Sequence, residues 1–278
     1  MVRLKFQSNL FFKEFLLFTL AVSLGILSAY RIFISGSMVI QPTKFNPSDF
    51  IVLGIFATIF FLARKRKRFI SLTYKIFLAL IILVGSQIIF SAYFVSPFDI
   101  MLSLVLFAIF YTYKNVFIHN IAIIMGITGV AAVLGLSITP KTGVILFVLL
   151  SFYDIVSVYK TKHMIYMARS MIESGAIFGF VIPSKMSGFL AGSNEARSQM
   201  GTEFMILGSG DIGLPLVMVC SLVSVSLAAT IITAIFSLAG LFITHLIFVN
   251  QKERKPMAAL PPIATMTIIG YLIAIVIK

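Results

Sequence analysis

The chain has 278 residues, of which 60% are hydrophobic and only 11% charged, with a formal net charge of +13 and a mean hydropathy of +1.08. Soluble domains carry about 25% charged residues, so this composition excludes a soluble globular protein and indicates a chain that crosses a membrane several times. The single cysteine, Cys220, excludes a disulfide framework or a cysteine metal cluster within one chain.

Apolar runs that could span a bilayer recur along the whole sequence. A spanning helix needs about 20 apolar residues, and fewer where protein shelters it. The first run follows several N-terminal cations and lacks a small-residue cleavage site, so we interpret it as a retained helix rather than a signal peptide. The sequence predicts an all-α polytopic membrane protein with nine spans, at about 15–34, 50–63, 69–93, 98–113, 117–137, 142–159, 202–221, 225–249 and 258–277.

The distribution of basic residues predicts how the spans are oriented. Of the 22 Lys and Arg, 17 fall on the same side of the nine spans as the N-terminus, 4 fall on the other side, and Lys75 lies inside the third span. Because cytoplasmic loops are enriched in Lys and Arg, this predicts a cytoplasmic N-terminus and an external C-terminus. The same segregation argues against nucleic acid as a partner and indicates the lipid bilayer instead. The basic run at 64–68 is interpreted as a topology signal.

The longest hydrophilic stretch separates the sixth and seventh spans. We therefore divide the chain into spans one to six (1–167), a cytoplasmic loop (168–201) and spans seven to nine (202–278). Within the loop, the segment AIFGFVIP, from Ala176 to Pro183, is short, apolar and ended by proline. This pattern is typical of a strand or of a segment lying on the membrane surface.

Two carboxylates are predicted to lie inside the membrane. The chain has nine acidic residues, and seven of them fall at span ends or in loops. Asp154 and Asp211 lie in apolar runs, on antiparallel spans, about 9–15 Å from the cytoplasmic surface at 1.5 Å per residue. An acid at the centre of a membrane helix costs about 2.5–3.5 kcal/mol, and such residues usually face the bundle interior and serve function. Two acids at the same depth favour a shared function over a role in packing alone.

A pair of aspartates held close together predicts acid–base chemistry. Two such carboxylates share one proton, so that one activates water and the other protonates a carbonyl oxygen, as in aspartic proteases. The Asp-Thr-Gly and Asp-Ser-Gly triplets of the pepsin type are absent from the sequence. Glycines 208, 210 and 213 surround Asp211 and would let a partner helix or a substrate backbone approach closely.

Three motifs carry a resemblance to a known family. Tyr153-Asp154 and Gly208-Ser209-Gly210-Asp211 resemble the YD and GxGD motifs of the presenilin and signal peptide peptidase family of intramembrane aspartyl proteases. At the start of the ninth span, Ala258-Ala259-Leu260-Pro261 resembles the family's PAL motif, with Ala258 in place of its first proline. The run SVYKTKHM after Asp154 looks like that of archaeal presenilin homologues.

The resemblance implies a presenilin-like bundle whose function is to hydrolyse peptide bonds within transmembrane helices of other membrane proteins. Asp154 and Asp211 would be the catalytic pair and Tyr153 would support Asp154. Gly208, Ser209 and Gly210 on one span, and Ala258, Ala259, Leu260 and Pro261 on another, would shape the substrate groove. No cofactor or metal is implied, and accessory subunits are not expected. The resemblance also implies the cell membrane of a prokaryote.

A helical substrate must unwind locally before its carbonyls become accessible. We expect an extended substrate segment to pair with AIFGFVIP by strand addition. If it does, Ile182→Pro should slow cleavage.

Rival functions remain open at this stage. Paired membrane carboxylates also serve proton- or cation-coupled transporters and channels, although the two halves of the chain show no inverted repeat. A prepilin-type peptidase also uses GxGD but fits nine spans and the PAL-like element less well. A catalytically inactive scaffold would still have to account for both aspartates.

Overall fold

The structure of the protein is a computed structural model that describes residues 6–36, 67–251 and 256–277. The predicted span at 50–63 therefore lies outside the described residues, as does most of the basic run at 64–68.

Within the described residues the chain is mostly helical. The ten α-helices are α1 (Ser8–Ser35), α2 (Lys67–Ser91), α3 (Phe98–Thr112), α4 (Val116–Ser137), α5 (Pro140–Ile155), α6 (His163–Ser174), α7 (Ser193–Ser198), α8 (Ser209–Ser221), α9 (Leu227–Val249) and α10 (Leu260–Val276). A π-helical turn, Val156–Lys160, extends α5, and a 3-10 turn, Met186–Leu190, precedes α7. Strands β1 (Gly179–Pro183) and β2 (Phe204–Gly208) form an antiparallel pair.

The described helices match eight of the nine predicted spans. Five are long and apolar enough to cross a membrane: α1, α2, α4, α5 with its π-helical turn, and α9. Three shorter apolar helices, α3, α8 and α10, occupy the fourth, seventh and ninth predicted spans. Helix α8 is short because the predicted seventh span begins as a strand.

Polar side chains cap the starts of α4 and α5. Asn115 precedes α4 and accepts a hydrogen bond from Ile118 N at 2.8 Å, and Thr139 precedes α5 and accepts from Thr142 N at 3.2 Å. These side chains satisfy N–H groups that have no partner within the helix. Pro140 occupies the first turn of α5, where its missing N–H removes no hydrogen bond.

Helix α4 occupies the centre of the bundle, where it packs against α1, α2 and α8. Its approach to α2 depends on glycine. A Cβ atom added at Gly85 would collide with the carbonyl oxygen of Gly126, and one added at Gly129 would collide with that of Gly85. The two backbones are therefore in direct contact, as is common where small residues line helix interfaces in membranes.

We expect Gly129→Ala to lower the stability of the bundle. The added methyl group meets backbone rather than a flexible side chain, and overpacking of this kind costs about 1–3 kcal/mol. Thermal unfolding in detergent measures the effect. Gly210→Ala is the matched control, since a Cβ there meets nothing within 4 Å; equal unfolding temperatures for the two variants would contradict the prediction.

The two-stranded sheet corrects the all-α fold class. The segment AIFGFVIP contains β1, in line with the strand interpretation. The interpretation of 202–221 as a continuous helix is wrong, because Phe204–Gly208 is a strand and the helix begins only at Ser209. An apolar run of five residues fits a strand or a helix equally well, so periodicity alone does not separate them.

Candidate active site

Asp154 lies at the point where regular helix ends. It belongs to the last turn of α5, directly before the π-helical turn, and its side chain is only 6% exposed. The backbone N–H of Leu260, at the start of α10, donates a hydrogen bond to Asp154 Oδ2 at 3.3 Å. The buried carboxylate thus joins α5 to the PAL-like segment.

Asp211 lies at the beginning of a helix rather than in its middle. It is the third residue of α8, and Gly208 immediately before the helix has extended backbone. The Asp211 carboxylate turns back toward Gly208, since a Cβ there would lie 3.0 Å from Oδ2, and an acidic side chain at this position of a helix typically takes this direction. The sharp change from strand to helix therefore positions Asp211.

The fold brings the two aspartates together. Asp154 accepts a hydrogen bond from Leu260, and the preceding residue, Ala259, lines the same cavity as Asp211, although the two aspartates come from different helices and are 57 positions apart. Repulsion between neighbouring carboxylates favours a state in which the pair holds one proton. This arrangement supplies a base and an acid at the same place, as hydrolysis by water requires.

The PAL-like segment forms the start of α10. Ala258 and Leu260 are buried, and Ala259 and Pro261 are half-buried. Pro261 and Pro262 carry no N–H, so they reduce the number of unpaired donors in the first helical turn. The N–H of Leu260 remains, and it donates a hydrogen bond to the Asp154 carboxylate.

The glycines before Asp211 have different surroundings. A Cβ at Gly208 would lie 3.0 Å from Asp211 Oδ2, so this position needs glycine to leave the carboxylate in place. Gly210 is exposed and a Cβ there meets nothing, and Ser209 between them is half-buried. The open side of this turn is where another chain can approach the pair.

Tyr153 points away from the bundle interior. Its side chain is 54% exposed and lines a surface cavity of about 850 Å³ together with Lys162, His163 and Tyr166. Support of Asp154 by Tyr153 stays a prediction.

Asp211 lines a cavity of about 160 Å³ that also contains residues which the sequence analysis did not associate with the site. Glu14 of α1 and His245 of α9 line it, and His245 Nδ1 lies 2.5 Å from Glu14 Oε2. Both residues are buried. The signal in the sequence was one acid and one histidine in separate apolar helices. Burying either side chain in a membrane costs free energy unless the two pair with each other.

The sheet beside the pair has one closed edge. The outward-facing edge of β1 is covered by side chains. Asn120 of α4 donates to Val181 O and accepts from Val181 N, both at 2.8 Å. His119 Nε2 lies 3.1 Å from Gly179 O, and Lys13 Nζ donates to Pro183 O at 2.9 Å. No second strand can pair with this edge while these contacts persist.

The other edge of the sheet belongs to β2. Val181 and Ile206 face each other across the sheet. Three positions further along, Ser184 and Glu203 form a hydrogen-bonded pair, in which Ser184 N donates to Glu203 O at 2.7 Å. Bonded and non-bonded pairs alternate in an antiparallel ladder, so the backbone N–H and C=O of Ile206 point away from β1. Ile206 also lines the cavity of Asp211. The edge of β2 therefore lies next to the aspartate pair.

We expect Asn120→Ala to destabilise the protein. The amide is 1% exposed, and its removal leaves the N–H and C=O of Val181 buried without partners, at a cost of about 2–4 kcal/mol. Thermal unfolding in detergent measures the loss, with Asn194→Ala as an exposed control. If the two variants unfold at the same temperature, the Asn120 amide does not close this edge.

Comparison with known proteins gives a family and a fold. A family model described as signal-peptide peptidase, presenilin aspartyl protease matches residues 16–278. Two solved structures, each described as a presenilin family intramembrane aspartate protease and crystallised in space groups C222 and P2, match with TM-scores of 0.60 at 24% identity. The matches cover 95% of this chain and 96% of each of theirs. At this identity they speak for the fold alone. No curated protein matches.

Proposed function

Because the chain belongs to the signal-peptide peptidase and presenilin family of aspartyl proteases, we propose that Asp154 and Asp211 are its catalytic pair. The protein is a multi-pass integral membrane protein and an intramembrane aspartyl protease. The observation that carries the assignment of the pair is the convergence of two carboxylates from α5 and α8. The transporter and channel alternative receives no support from the family match.

The pair hydrolyses a peptide bond by activating water. The ionised carboxylate accepts a proton from the water as its oxygen attacks the scissile carbonyl carbon, and the protonated carboxyl donates its proton to the carbonyl oxygen. As the tetrahedral intermediate collapses and the C–N bond breaks, the ionised carboxylate takes a proton from one hydroxyl of the intermediate, and the protonated carboxyl gives its proton to the leaving nitrogen. After both products leave, the pair again holds one proton and is ready for another cycle.

The residues around the pair hold it in position and leave room for substrate. Leu260 fixes Asp154 through its N–H, and the absence of a side chain at Gly208 leaves room for the Asp211 carboxylate. Ala258, Ala259 and Pro261 form the wall on the α10 side, and Ser209 and Gly210 form the open side.

An extended substrate segment pairs with β2 rather than with β1. The closed edge of β1 argues against the pairing with AIFGFVIP that the sequence suggested, whereas Ile206 offers an N–H and a C=O beside Asp211. An added strand obtains affinity from such main-chain hydrogen bonds. Substrates are therefore transmembrane segments that unwind at the scissile bond, since a helix keeps its own backbone groups paired.

The topology that fits this function has nine spans, a cytoplasmic N-terminus and an external C-terminus. The charge distribution supports it, with spans one to six in 1–167, the cytoplasmic loop in 168–201 and spans seven to nine in 202–278. Both aspartates come from one chain, so the site itself requires no accessory subunit. We place the protein in the cell membrane of a prokaryote on the strength of its archaeal-like SVYKTKHM run.

Cleavage of a tagged single-span peptide by the purified protein in liposomes tests this function. Mass spectrometry of the fragments should locate the new termini within the apolar segment of the peptide. Ion flux into the same liposomes is measured in parallel. A protein that leaves several such peptides intact while carrying ions would contradict the proposal.

A further inference from the structure

Three cations line one cavity on the side of α2 and α4. Lys75 of α2, Lys114 at the α3–α4 junction and Arg197 of α7 surround a space of about 300 Å³. No Asp or Glu is among the lining residues. In the described part of the chain the recorded ion pair joins His245 to Glu14, so none of the three cations has an acidic partner there. The cavity is separate from the one that contains Asp211.

Lys75 lies in an unusual position for a cation. It is seven residues beyond Arg68 in α2, or about 10 Å along the helix. A lysine at this depth of an apolar helix is costly and normally marks a functional contact. The aspartate pair makes no use of it. Its side chain is exposed, so it is available to a ligand.

Arg197 is held in place by its surroundings. Its Nε donates to Ser193 O at 3.2 Å, and its Nη2 donates to the Asn194 side chain. Gly175, with φ +76°, leaves room for the guanidinium, because a Cβ there would lie 2.5 Å from Nη1. Such preorganisation lowers the entropy that binding must remove.

The wall between Arg197 and Lys114 is also built by specific contacts. Ser193 N donates to Lys114 O at 2.7 Å, and Asn115 forms an isolated bridge with Gly192. The loop that carries Arg197 is therefore docked on the α3–α4 junction. Tyr111 and Tyr113 add hydroxyl-bearing side chains to the lining, and His119 and Ser174 are also part of it.

We propose that this cavity binds a phosphate group, carried either by an anionic lipid headgroup or by free phosphate. Three unpaired cations repel one another, and a phosphate relieves that repulsion while accepting hydrogen bonds from all of them. Arg binds phosphate oxygens through two parallel N–H groups and Lys binds them as a point charge. A volume of 300 Å³ equals that of about ten water molecules, which leaves space for the group and part of its hydration shell.

Binding stabilises the segment that leads to β1. Ala176, Ile177 and Val181 form the apolar wall of the same cavity. A phosphate held by α2, the α3–α4 junction and α7 therefore fixes the end of α6 and β1 against the bundle, and bound ligand raises the unfolding temperature of the protein by mass action.

Two measurements on delipidated protein test the proposal and separate the sources of phosphate. Native mass spectrometry compares retention of phosphatidylglycerol with that of phosphatidylcholine. Thermal unfolding in neutral detergent is titrated with inorganic phosphate against chloride at equal ionic strength. Lys75→Gln and Lys114→Gln are the variants, because both side chains are exposed and both variants should fold. Lys141→Gln, an exposed cation outside the cavity, is the control.

We expect the parent and Lys141→Gln to bind phosphate and each cavity variant to bind about 10-fold more weakly, as loss of one charge-assisted contact predicts. Selective retention of phosphatidylglycerol identifies a lipid headgroup, and a saturable rise of the unfolding temperature with inorganic phosphate alone identifies the free ion. Equal retention of both lipids together with no saturable phosphate effect overturns the proposal, as does any binding that the two cavity variants leave unchanged.

Discussion

Asp154→Asn and Asp211→Asn are each expected to abolish cleavage of a single-span peptide. Asparagine keeps the shape of aspartate but neither accepts the proton of the attacking water nor donates a proton to the carbonyl oxygen. Loss of one such group lowers the rate by about 10²–10⁴-fold, which takes the activity below detection in a detergent or liposome assay. The measurement is the rate of fragment formation at saturating substrate.

The double variant separates a catalytic pair from two independent residues. Groups that act as one unit are strongly non-additive, so removal of both carboxylates should be no worse than removal of one. Asp99→Asn is the matched control, since Asp99 is also a buried carboxylate in a helix but does not line the cavity of Asp211. Activity that survives in either single variant would contradict the assignment, and activity lost equally in Asp99→Asn would indicate a general defect.

Ile206→Pro is expected to slow cleavage by about 10-fold or more. The proline ring removes the outward-facing N–H of β2 and leaves the substrate carbonyl that would accept it unpaired, at a cost of about 1–3 kcal/mol. Proline is tolerated on an edge strand whose N–H faces away from its partner, so the β1–β2 pair should survive. The rate of peptide cleavage measures the effect.

Two variants distinguish the backbone contact from other effects. Ile206→Ala shortens the side chain but keeps the N–H, so it isolates what the backbone contributes; it should cleave faster than Ile206→Pro. Ile182→Pro has a different meaning from the one that the sequence suggested, because Ile182 pairs with Met205 inside the sheet and its proline variant disrupts the sheet itself. If Ile206→Pro and Ile206→Ala cleave equally, the substrate does not pair with this edge.

The position of both aspartates at helix ends explains how a hydrolytic site fits inside a bundle. Asp154 precedes a π-helical turn and accepts a hydrogen bond from the first N–H of α10, and Asp211 follows a strand at the first turn of α8. Irregular backbone within a membrane is tolerated only where it is buried in protein or lines a cavity. The PAL-like segment meets the same requirement, since two prolines remove donors and Asp154 accepts from Leu260.

Composition and local pattern determined the membrane class, the spans and the choice of Asp154 and Asp211. Hydrophobicity is a property of each segment alone, so seven of the eight predicted spans within the described residues coincide with apolar helices, and the eighth, 202–221, is a strand followed by an apolar helix. Acids are rare in such runs, which is why two of them were recognisable without a structure. The segment AIFGFVIP was predicted to be a strand or a membrane-surface segment, because it is short and ends in proline, and the structure shows the strand.

Contacts between distant segments were decided only by the tertiary structure. Asn120 closes the edge of β1 from 61 positions away, and Glu14 pairs with His245 across 231 positions. Neither side chain carries a local signal of its partner, because packing alone brings them together. The strand Phe204–Gly208 was missed for the same reason: an apolar run becomes a strand only when another strand lies beside it, and here β1 supplies that neighbour.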